Sequence, residues 1–154
     1  MEILASLPTF NQDHAARTTY SWYELCIDDP EAQCFYKYPF VGVVGTPDLL
    51  FLSRMYQPLI VKCFDFEMAD ILAVTEDGWK IRNGNPASDS DAPSLIVDDL
   101  AVDLKSRFER ARDLRRKISP VAIAALPRTD GSAFFLKFGF QPGNYVWAGG
   151  DDAK

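Results

Sequence analysis

The densest collection of side chains able to meet a phosphate lies in one stretch, where Lys105, Arg107, Arg110, Arg112, Arg115, Arg116 and Lys117 are diluted by Asp103, Glu109 and Asp113. Lys105, Arg112 and Arg116 recur at helical spacing, which sets them in a stripe that suits a nucleic-acid backbone. Glu109 falls on the same face and weakens that stripe. Glu109–Arg112 and Asp113–Lys117 pairs at helical spacing serve a helix that simply meets water equally well. A second residue with chemistry to offer is Lys62, an ammonium inside the apolar run PLIVKCFDF. In an interior strand it needs a partner, because an unpaired buried ammonium either costs several kcal/mol or loses its proton. On an edge strand it would instead guard against the addition of a foreign strand. Phe134, Phe135, Phe138, Phe140, Tyr145 and Trp147 offer faces on which bases can stack, but they alternate as strand residues do and suit a core better. His14 and the three cysteines lack zinc spacing. One histidine with no nucleophile motif beside it leaves a hydrolase triad unsupported, and there is no glycine-rich phosphate loop.

These residues need elements to position them. Thr9 and Gln12 have the spacing of a capping box, and Ala16, Tyr20, Tyr23 and Ile27 follow at helical intervals, predicting a first helix that Asp28-Asp29-Pro30 ends. AQCFYKYPF, PDLLFLS, PLIVKCFDF, DILAVT and WKIR then read as short strands, linked by Gly45-Thr46-Pro47, Gln57-Pro58 and Asp77-Gly78. Such short links predict antiparallel neighbours. Residues 83–94, NGNPASDSDAPS, read as a polar loop broken by two prolines. Leu100, Leu104, Phe108, Ala111, Leu114 and Ile118 mark one side of a long second helix that Ser119-Pro120 stops. VAIAAL reads as a buried strand reached by a crossover, and AFFLKFGF and NYVWA as closing strands. There is no internal repeat.

Composition sets outer limits. A chain of 154 residues fits one domain, and 47% apolar with 13% aromatic residues can fill its core, which excludes global disorder. The net charge of −6 excludes a generic nucleic-acid coater while leaving room for a local basic face. No apolar run is long enough for a membrane span, and the opening residues lack the features of a signal peptide. Cys26, Cys34 and Cys63, an odd number, are expected as reduced thiols in the cytoplasm, chiefly as small core residues. The expected domain spans residues 1–148, with residues 149–154 as a tail or a link to further domains.

The order of helix, strand meander, long helix and strand resembles the core of the restriction-endonuclease-like nucleases. Within them, residues 45–126 are similar to the nuclease-related domain family. The matching stretches are Gly45-Thr46-Pro47-Asp48-Leu49-Leu50, Pro58-Leu59-Ile60-Val61-Lys62, the Gly78-Trp79 turn, Asn85-Pro86 and the long helix before VAIAALP. The likeness covers about half the chain as a pattern rather than an identity. It implies a constellation in which an aspartate opens one strand and the next strand carries an acidic residue, any residue, then lysine. Carboxylates of that set hold Mg²⁺ against a phosphate, and the lysine orients the attacking water and steadies developing charge.

Asp48 matches the first acid and the metal ligand of that pattern, and Lys62 matches its lysine. The position between them that must be acidic is Ile60, which cannot ligate a metal. The acid-x-lysine windows of the chain, Asp103-Leu104-Lys105 and Asp152-Ala153-Lys154, lie off the required strand. An acid recruited from elsewhere would be Glu24, Asp65 or Asp98, and strand alternation turns Asp65 away from Lys62. For the first-helix acid of the family the nearest candidate is Asp13. The expectation is therefore an α/β domain with a mixed sheet flanked by an N-terminal helix and a long second helix. Its expected role is a degenerate, inactive nuclease-related domain that serves as a DNA-associated or protein-docking module of a DNA-processing or defence protein, without a cofactor. Two alternatives stay open: an active Mg²⁺-dependent endonuclease with a displaced carboxylate, and an acidic interaction domain unrelated to nucleic acid.

Overall fold

A computed structural model gives the fold and describes residues 2–4, 7–37, 46–76, 78–82, 88–110, 119–139 and 144–148. A short strand, β1 (Glu2–Leu4), precedes a short helix, α1 (Leu7–Gln12), and the longer α2 (His14–Cys26). The start of α2 is fixed by Asp13, whose Oδ1 accepts the Ala16 N–H at 3.1 Å. The capping box expected at Thr9 and Gln12 therefore does not open the main helix: both residues lie inside α1. Small residues, Ala15, Ala16 and Thr19, form the buried side of α2 and let it lie close to the sheet.

The expected meander follows as β2 (Gln33–Tyr36), β3 (Leu49–Leu52) and β4 (Leu59–Cys63), with β3 antiparallel to β2 and β4 antiparallel to β3. After a 3₁₀ turn, β5 (Ile71–Val74), β6 (Gly78–Ile81) and β7 (Ser88–Asp91) make a separate three-stranded antiparallel sheet. The segment read as a polar loop thus contains a strand. SDSD has no β-branched or aromatic residue to announce it, and pairing with β6, Trp79 opposite Ser90, is what holds it. Residues 83–87 of that segment lie outside the described residues.

Helix α3 (Pro93–Arg110) leads to β8 (Val121–Asp130), which lies parallel to β4, so the crossover expected before VAIAAL is present. The strand runs further than expected. Its later half pairs in parallel with β9 (Tyr145–Ala148) across an irregularity between Leu126 and Asp130, where Pro127 costs no regular ladder bond. Between them α4 (Gly131–Phe138) replaces the strand expected over AFFLKFGF. Asp130 caps it through Oδ1, accepting from Ser132 and Ala133 N–H, and Gly139 ends it at φ 80°. Phe134 and Phe138 are adjacent on this helix, one turn apart, and only their even spacing made them pass for strand residues.

The main sheet has the order β1-β2-β3-β4-β8-β9 and is mixed, so the chain is an α/β protein. Alternation along its strands divides the core. Leu49, Phe51, Val61 and Ala125 pack with Ala16 under α2, while Leu50 and Ile60 pack with Leu100 and Leu104 of α3. A third cluster joins Trp79 of the small sheet to Phe134, Tyr145 and Trp147. Those aromatics are core, and the base-stacking alternative does not hold for them: Trp79 stacks on Tyr145 at 5.8 Å, and Phe134 meets Trp147 at 4.6 Å. Phe140 lies outside the described residues, as do Ala111, Leu114 and Ile118 of the expected helix face and residues 149–154. Among the described residues no helix is long and apolar enough to cross a membrane.

The helical setting of α4 separates two neighbouring phenylalanines. Phe134 is fully buried and Phe135 is 50% exposed. Phe134→Ala is expected to lower unfolding free energy by about 3–5 kcal/mol, and Phe135→Ala by under about 1 kcal/mol, in urea titrations followed by circular dichroism.

Candidate functional site

Asp48 is delivered to the junction of three strands by the register. The last paired positions are Tyr36 with Leu49 and Leu49 with Val61. One step further along, Lys37, Asp48 and Lys62 come side by side. The backbone holds Asp48 from both sides: its N–H donates to the Val61 carbonyl at 3.0 Å, and its carbonyl accepts the Lys37 N–H at 2.9 Å. The side chain is 10% exposed, and its Oδ2 accepts the Cys63 N–H at 2.6 Å. Lys62 places Nζ 3.9 Å from that oxygen and donates to the Thr46 carbonyl at 3.2 Å. Lys62 therefore has the partner that an interior strand demands. The edge-strand alternative is corrected, because β4 lies between β3 and β8.

A second acid stands nearby. Asp13, the residue named as nearest to a first-helix acid, caps α2 with Oδ1 and accepts the Tyr36 hydroxyl at 2.7 Å with Oδ2. Lys37 brings Nζ to 3.8 Å from the same oxygen and 5.5 Å from the Tyr36 ring centroid. On the α2 side, Cys63 Sγ donates to Thr19 Oγ1 at 3.6 Å, and that hydroxyl donates to the Ala15 carbonyl at 2.9 Å. Lys37, Tyr36 and Thr19 went unnoticed in the sequence. The signal that would have found Lys37 is the register itself: pairing LLFL with QCFY in antiparallel sense carries Lys37 opposite Asp48.

Burial dominates the titration of this cluster. It pushes the Asp48 carboxyl above the ordinary aspartate value, against the pull of Lys62, the Cys63 N–H and Lys37, with Asp13 adding to the rise. Burial also raises Tyr36, helped by its hydrogen bond to Asp13. The Cys63 thiol is pushed up to about 12 by burial first and Asp48 second, and Cys34 to about 12 by burial alone. Neither thiol is an available nucleophile at neutral pH. Cys26 departs from the expectation of a core residue: it lies exposed at the end of α2.

The donor set does not fit Mg²⁺. That ion asks for near-octahedral oxygen ligands, whereas Asp48 Oδ2 is already engaged by an N–H and an ammonium. Ile60, where the second acid would stand, is fully buried against α3. Among the described residues no group of three His, Cys, Asp or Glu side chains is placed to hold a metal ion. The three acids considered for recruitment are engaged or placed elsewhere. Asp65 bonds Arg128 at 3.0 Å. Asp98 is exposed on α3, and its field reaches Tyr145. Glu24 lines an open groove of about 230 Å³ on α2 with His14 and Arg17. Of the basic stripe, Lys105 is half-buried on α3, and Arg112 and Arg116 lie outside the described residues. An ion pair within α3 joins Arg107 to Asp103 at 3.3 Å.

No protein-family model, no curated protein and no solved structure matches the chain.

Two outcomes follow from the burial of these groups. A carboxyl whose folded pKa is raised binds its proton more readily in the native state, so its contribution to stability is greatest at low pH and falls as pH rises through the folded value. Asp48→Asn is therefore expected to gain stability relative to wild type as pH climbs from about 4 towards neutrality, measured by urea unfolding at stepped pH; a flat difference would contradict the buried-carboxylate assignment. A maleimide at neutral pH is expected to label Cys26 fast, with Cys34 and Cys63 reacting only on unfolding, as read by mass spectrometry.

Proposed function

We propose that the chain is a degenerate nuclease-related domain, with a restriction-endonuclease-like core and without phosphodiesterase chemistry, kept as a DNA-associated or protein-docking module of a DNA-processing or defence protein. The observation that carries the reading is the Asp48–Lys62 pair, 3.9 Å apart where β3 begins and β4 ends, with Ile60 buried in the core at the place of the missing acid. The succession α2, β2-β3-β4, α3, β8, with β8 parallel to β4, supports the kinship. An acid and a lysine retained without a second ligand hold strands together but do not grip a divalent ion firmly. In the nucleic-acid version of the role, Lys105, Arg112 and Arg116 supply the phosphate contacts.

Plasmid nicking in Mg²⁺ or Mn²⁺ tests the loss of catalysis, with Asp48→Ala as the control. Wild type and variant are expected to be equally inert, and metal-dependent cleavage abolished by Asp48→Ala would make the chain an active endonuclease instead. DNA affinity measured across a salt series tests the docking surface. Replacing Lys105, Arg112 and Arg116 by alanine is expected to flatten the log–log salt slope by about 1 per lost contact. Salt-independent or absent binding would leave a protein partner as the docked species.

A further inference from the structure

We draw no further inference here: the strongest candidate, the open groove of about 230 Å³ along α2 that Phe10, His14, Arg17, Tyr20 and Glu24 line, is walled by exposed charged side chains, its Arg17 guanidinium is already tied to the Asn11 carbonyl at 2.8 Å, and nothing in the structure shows what would fill it.

Discussion

The structure turns on a buried carboxylate. Asp48 lies where β2, β3 and β4 meet, and a charge withdrawn from water there must be repaid by hydrogen bonds and counter-charges. Its backbone is tied to Val61 and Lys37, its Oδ2 takes the Cys63 N–H, and the Lys62 ammonium of the neighbouring strand stands 3.9 Å from that oxygen. The same contacts set the register of the meander, because a shift of one residue would turn Lys62 into the apolar face that Val61 and Cys63 now occupy. Electrostatics at this junction and strand alignment are thus one constraint.

That constraint also decides what can stand two residues before Lys62. Side chains of β4 alternate between α2 and α3, and Ile60 falls on the α3 side, fully buried with Leu50, Leu100 and Leu104. A glutamate there would have to leave water beneath a helix, with hydrocarbon on every side, and would need a cation to justify the cost. The fold fills this position with packing instead. Lys62, two residues on and 31% exposed, sits at the rim where its charge is still partly hydrated.

Much of the fold was legible in the sequence because hydrophobic alternation speaks plainly for interior strands. QCFY, LLFL, LIVKC, ILAV and GWKI all form strands where β-branched and aromatic residues cluster. The failures have particular causes. AFFLKFGF is equally apolar as a strand or a helix, and the local signals that decide it, Asp130 before the run and Gly139 after it, were outweighed by an apparent alternation. SDSD becomes β7 only because β6 offers a pairing edge, which is a tertiary fact. The candidate site divides in the same way. Asp48 and Lys62 were legible, since a charge in an apolar run stands out. Lys37 was not, because its role depends on a left-handed turn at the end of β2 that no residue preference announces.

The charge balance at this junction bears on what the domain is for. A working metal site gathers carboxylates that repel one another, so the empty protein carries a destabilising cluster that the ion relieves. Here each carboxylate already has its own ammonium, Asp13 with Lys37 and Asp48 with Lys62, at 3.8 and 3.9 Å. For Asp48 the pairing is incomplete, because burial still outweighs the pull of Lys62 and Lys37 and leaves its carboxyl raised. On the proposed reading the cluster serves the fold, and affinity for nucleic acid or protein comes from other surfaces.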